Sequence, residues 1–155
     1  MVLLVPVLLT GCSSTPLGPY GYTDQFLERL EADGQVAVQP DDDTLSRFID
    51  FYNPLDHQRI AEGIDQIYAS DVYFNDTLVI VRNRETLQKH LLATAERLSY
   101  MSLEPLNVVR DGQQVYLVWV MEAHFSLLGR ERLSRTIGIS QLRFNRDGQV
   151  FFHQD

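Results

Sequence analysis

Apolar positions along the chain follow three successive patterns. Val2 to Leu9 is an uninterrupted apolar run of eight residues containing Pro6. A helical period follows: Leu45, Phe48, Ile49 and Tyr52 fall at i, i+3, i+4 and i+7, the stripe of an amphipathic helix. Asn53-Pro54 ends that helix, and Ile60, Ile64, Ile67 and Tyr68 mark a second stripe. Val72-Tyr73-Phe74 and Val79-Ile80-Val81 are short β-type runs. Asn83 then caps a third helix with Leu87, Leu91, Ala95 and Leu98 on one face and Glu85 and Lys89 paired at i, i+4. From Ser102 the period becomes two. Asp111-Gly112 predicts a hairpin between a strand ending near Arg110 and another over 114–127. Gly129-Arg130 turns into a strand over 131–144, and Asp147-Gly148 into a last one over 150–155. Three helices followed by a meander of long antiparallel strands define an α+β domain, with the helices covering one face of a curved sheet.

Charge divides the chain unevenly. The 155 residues carry 13 Lys and Arg against 21 Asp and Glu, a net −8. Residues 12–43 hold one Arg (Arg29) against seven acids, whereas residues 44–155 hold 12 basic and 14 acidic groups. An acidic extension with Pro and Gly thus precedes a nearly neutral domain, and neither offers the basic face that nucleic acid requires. The expected organisation is a leader over 1–11, an acidic tether over 12–43 and a folded domain over 44–155. Asp41-Asp42-Asp43, at the junction, suits the free amides of a helix N-terminus; a Ca²⁺ site there lacks EF-hand spacing.

Eight apolar residues are too few for a bilayer span but fit a secretory h-region. The following Leu9-Thr10-Gly11-Cys12 resembles the lipobox of bacterial lipoproteins. That resemblance implies cleavage before Cys12, acylation of its thiol and attachment to a membrane, and Ser13 after the cysteine implies the periplasmic face of the outer membrane. No Lys or Arg precedes Leu9, although a leader normally carries one. Cys12 is the single cysteine, so neither an intramolecular disulfide nor a cysteine-based zinc site can form.

The domain resembles the nuclear transport factor 2-like (NTF2-like) superfamily, the cone-shaped fold of SnoaL-like domains and ketosteroid isomerases. The resemblance rests on Phe51-Tyr52, on 67–76 (Ile-Tyr-Ala-Ser-Asp-Val-Tyr-Phe-Asn-Asp), on Val81-Arg82-Asn83-Arg84-Glu85 and on 142–150 (Leu-Arg-Phe-Asn-Arg-Asp-Gly-Gln-Val). It implies a conical pocket, and matching by motif gives Asp76 the place of an isomerase's general base and Tyr52 that of its oxyanion-binding hydroxyl. Ser140 stands where a second acid is expected, and Thr77 where a proline commonly follows the base. SnoaL-like cyclases place an acid/base Asp on the last strand, where this chain has His153 and Asp155, two apart and therefore on one face. Each of these residues also has a plain structural reading: a turn carboxylate, a core aromatic, a solvated terminal pair.

On the strand from Val115, one face is wholly apolar (Val115, Leu117, Trp119, Met121, Ala123, Phe125) and suits the helix-covered side. Glu122 and His124 lie on the other, toward solvent or an oligomer interface. Gly138, Ser140 and Leu142 share a face of the next strand, where small residues leave room for a ligand. With Tyr68, Phe74, Trp119 and Met121 they form the expected pocket lining. The four histidines lack metal-ligand spacing, and no nucleotide-binding glycine pattern occurs, so neither metal nor cofactor is expected. Three functions remain: a lipid-anchored domain binding a small, largely apolar molecule, a cofactor-free acid/base enzyme, or a cell-envelope interaction module that forms a homodimer through its sheet.

Overall fold

The computed structural model describes residues 21–31 and 36–155. The expected leader and the lipidation residue Cys12 lie outside the described residues. The chain divides into two compact units, Met1–Asp33 and Gly34–Asp155. In the first, Phe26, Leu27 and Leu30 belong to helix α1 (Tyr22–Glu31), none of whose residues is buried.

The second unit holds helices α2 (Asp42–Phe51), α3 (His57–Ile67) and α4 (Arg84–Arg97) with six strands: β1 (Tyr68–Asn75), β2 (Ile80–Val81), β3 (Leu98–Asp111), β4 (Gln114–Leu127), β5 (Arg130–Phe144) and β6 (Val150–Gln154). Each helix starts at a side-chain cap: Asp41 accepts from the Thr44 amide at 2.7 Å, Asp56 from Arg59 at 2.8 Å and Asn83 from Thr86 at 2.8 Å. The acidic triplet thus splits by role, with Asp41 capping α2 while exposed Asp42 meets Arg110 at 2.8 Å.

Strand order in the sheet is β2-β1-β6-β5-β4-β3. Every pairing is antiparallel except β1 with β6, which run parallel, so the expected all-antiparallel sheet is in fact mixed. The physical reason is connectivity. β6 returns through the Asp147-Gly148 turn antiparallel to β5, and its other edge receives β1 in the same direction. Both predicted hairpin glycines have positive φ, 56° at Gly112 and 74° at Gly148, as their turns require. The unit also begins before residue 44: Val38 bridges Phe144 and Ala37 is buried.

The α2 and α3 stripes pack with α4 onto the concave side of the sheet, around Phe48, Ile60, Tyr68, Leu87, Leu117, Leu142 and Phe144. Asn53, in the α2–α3 turn, fastens the helical layer to β3: its amide donates to the Leu103 carbonyl at 2.7 Å and its oxygen accepts from the Leu103 amide at 2.7 Å. No helix among the described residues is long and apolar enough to cross a membrane.

Candidate functional site

The parallel pairing of β1 and β6 builds the site. It sets Phe74 beside His153, and the Asp155 amide donates to the Asn75 carbonyl at 2.9 Å. Period-two alternation then turns His153 and Asp155 toward the helices, where the C-cap of α2 supplies Tyr52 and the α3–β1 junction supplies Tyr68.

A single hydrogen-bonded chain links these residues. The Tyr52 and Tyr68 hydroxyls lie 2.5 Å apart, Tyr68 Oη is 2.8 Å from His153 Nδ1, and His153 Nε2 is 2.9 Å from Asp155 Oδ1. A branch arrives from the sheet: Trp119 Nε1 donates to Ser140 Oγ at 2.8 Å, and Ser140 Oγ donates to Asp155 Oδ1 at 2.5 Å. Tyr52, Tyr68, Trp119, Ser140 and His153 are buried, whereas the Asp155 side chain is 24% exposed. Phe48 and Phe74 meet the imidazole edge-on at 5.6 and 4.9 Å, and Tyr68 stacks on it at 6.0 Å.

Burial pushes the hydroxyls of Tyr52 and Tyr68 well above the usual phenol range, so both keep their protons. Burial also pushes the Asp155 carboxyl up, but the adjacent imidazole and the hydrogen bonds from His153 and Ser140 outweigh it and hold the group below its ordinary value. Asp155 is therefore an ionised acceptor at neutral pH, supported by two donors on one oxygen.

Asp76 sits elsewhere. Its Oδ1 accepts from the amides of Leu78 (3.0 Å) and Val79 (2.9 Å), and its Oδ2 is 2.8 Å from His90 Nε2. Both oxygens are thus occupied by the β1–β2 turn and α4. Thr77 explains the arrangement. Its φ is +70°, a conformation closed to proline, so the departure from the isomerase pattern is a different turn rather than a neutral substitution. No hydrogen bond joins Asp76 to Tyr52 or His153; only its charge reaches Tyr52.

The expected lining residues take different parts. Phe74 and Leu142 are core, and Met121 is partly buried against it. Space beside Gly138, which the sequence leaves for a ligand, holds the Trp119 indole: a Cβ on Gly138 would lie 2.3 Å from that ring. Ser140 lines no open wall but joins Trp119 to Asp155. Glu122 and His124, on the opposite face, are bonded to each other at 2.8 Å. His90 carried no signal in the sequence, because its pairing with Asp76 depends on how α4 docks on β1. Among the described residues, no three of His, Cys, Asp and Glu converge to hold a metal ion.

This curved sheet under three helices has the NTF2-like architecture. Residues 45–153 match the SnoaL-like domain family, and the chain belongs to it. Solved structures with the same fold include an NTF2-like protein of unknown function from Exiguobacterium sp. 255-15, at 13% identity over 72% of this chain and 94% of that one, with TM-score 0.61. A putative SnoaL-like polyketide cyclase from Shewanella putrefaciens CN-32 aligns at 12% identity over 73% and 85%, with TM-score 0.63. A protein with a ketosteroid isomerase-like fold from Catenulispora acidiphila DSM 44928, solved with trimethylamine, aligns at 14% over 75% and 85%, with TM-score 0.62. No curated protein matches the sequence.

Proposed function

We propose that this SnoaL-like domain is held at the bacterial cell envelope through an acylated Cys12 and binds a small, largely apolar molecule between its helical layer and the concave sheet. The observation that carries the reading is the buried relay ending in Asp155, whose Oδ2 accepts no hydrogen bond from a described residue. Partly exposed apolar side chains of the same layer, among them Leu92, Ala95 and Met121, offer the body of a ligand its contacts. The lipobox-like segment supports the envelope location, on the periplasmic face of the outer membrane. Native mass spectrometry of the domain purified from its envelope tests both parts. The expected result is an acyl-modified mature chain carrying a small apolar species. An unmodified Cys12 sinks the anchor; no bound species, together with no thermal shift across a panel of apolar compounds, sinks the binding reading.

A second reading, a cofactor-free acid/base enzyme, draws on one specific observation. Tyr52, Tyr68, His153 and Asp155 form a continuous path of exchangeable protons. In it Asp155 exchanges the proton with the substrate and the imidazole stabilises whichever state results. Asp76 has no part in that reading, because both of its oxygens are engaged in its turn.

A further inference from the structure

The turns of the long meander differ in what they hold at their tips. Asp111-Gly112 and Asp147-Gly148 are polar, as solvated turns are. The turn joining β4 to β5 is Leu127-Leu128-Gly129-Arg130. Leu127 pairs with Arg130, so the loop between them is Leu128-Gly129, with φ of 53° and 72°. Positive φ at both central residues marks a type I′ turn, whose first position suits Asn, Asp or Gly and crowds the Cβ of a leucine. Leu128 takes that position all the same and is 95% exposed, with Leu127 beside it 53% exposed. Neither side chain belongs to the core, and the backbone at 128 favours Asn, so folding does not account for this pair.

The hairpin also projects. β3 begins at Leu98, opposite Phe125, so residues 126–131 extend beyond that neighbour. Cross-strand register sets Arg132 opposite Phe125 and Arg130 opposite Leu127, on the face of β4 that carries Trp119 and Met121. Glu131 lies opposite Ser126, on the reverse face. Neither Arg130 nor Arg132 has a side-chain ion pair or hydrogen bond with a described residue, whereas Arg135, farther along β5, is 3.8 Å from Glu122. One face of the tip thus presents leucines at its end and two guanidinium groups behind them, with no acid among them. That order matches the layers of a membrane interface, where anionic phosphates overlie acyl chains. Nucleic acid would answer the cations but leave the leucines in water. Because the chain as a whole is net −8, an anionic surface attracts this hairpin while repelling most of the molecule, which brings the domain down tip first.

We propose that the β4–β5 hairpin docks on an anionic lipid surface, with Leu127 and Leu128 entering the acyl boundary and Arg130 and Arg132 meeting the lipid phosphates. This extends the envelope location proposed above to a second point of membrane contact, and its test is independent of the anchor. The full chain carrying Cys12→Ser, which cannot be acylated there, is titrated with vesicles of phosphatidylcholine alone or with 30 mol% phosphatidylglycerol, and binding is read by co-sedimentation. Tip variants are made in the same background, so residues 1–11 contribute equally to all. Phosphatidylglycerol is expected to strengthen binding of the parent about tenfold, and Arg130→Gln with Arg132→Gln to remove most of that gain. Leu128→Asn should weaken binding to both vesicles by about tenfold. Asn is favoured at positive φ, so this variant should melt no lower than the parent, which separates lost docking from lost folding. Equal binding by Leu128→Asn and its parent overturns the proposal, as does a parent indifferent to phosphatidylglycerol. A tip that binds no vesicle overturns it too and leaves the leucines to a protein partner. An unmodified Cys12 in the native protein is a separate result: it removes the anchor and leaves the hairpin's docking standing.

Discussion

At the scale of single residues, the site is a contest between burial and hydrogen bonding, and Asp155 shows which wins. Burial alone raises a carboxyl, yet His153 and Ser140 leave this one below its ordinary value of 3.8. A depressed folded-state value means that the native state favours the ionised form. The stabilisation is full above the unfolded value and is lost as pH falls through the folded one. Asp155→Asn should therefore be less stable than the parent at neutral pH, with the gap closing as pH falls below 3.8. Thermal melts of both proteins from neutral pH into the acid range measure it. Asp41 and Glu85, lowered chiefly by bonds to Thr44 and Lys89, are common to both proteins and cancel in the difference. A gap that does not vary with pH would show that Asp155 is not held ionised.

At the scale of elements, what was legible in the sequence was local. The α2 stripe, the Asn83 cap and the two Asp-Gly hairpins depend on residues within a few positions of each other, and the structure has them all. The parallel β1–β6 pairing was not legible, since no short-range signal specifies which sheet edge receives β1. That pairing brings Tyr68 to His153 across 85 positions, so half of the relay has no local signal, whereas the two-residue spacing of His153 and Asp155 by itself puts them on one face. The Trp119–Gly138 pair likewise needed the β4–β5 register: the sequence shows a large residue and a small one but not that they are opposite. Packing there leaves no slack, because a Cβ at 138 would meet the indole at 2.3 Å. Gly138→Ala should destabilise the domain by about 1–3 kcal/mol. It should also shift Trp119 emission by displacing the ring from Ser140. Denaturant unfolding followed by fluorescence reads both effects, and an unchanged midpoint with unchanged emission would contradict the close packing.

At the scale of the whole molecule, the outward face of β3–β5 is unlike an ordinary solvated surface. Cross-strand register places Val118, Val120, Ile137 and Ile139 together there, with Leu133 and Tyr100 nearby. Ile137 is 76% exposed and Ile139 55%. Glu104, Glu122 and Arg135 border this strip, giving it an apolar centre and a charged edge. Three strands about 4.8 Å apart, each of some 14 residues rising about 3.3 Å, cover roughly 650 Å². That is close to the ~800 Å² per partner of a stable interface. A second copy suits the face better than a dissimilar partner, because acids and an arginine on the same rim let a two-fold related copy set unlike charges against each other. The homodimer expected from the alternating pattern thus becomes a specific proposal: two sheets packed face to face through Ile137 and Ile139. Ile137→Glu places a charge at the centre of that contact and removes nothing from the protomer's own core. The parent should run as a dimer at micromolar concentrations by light scattering, and the variant as a monomer with an unchanged far-UV spectrum. A parent that stays monomeric at the highest soluble concentration would leave this face to a different partner.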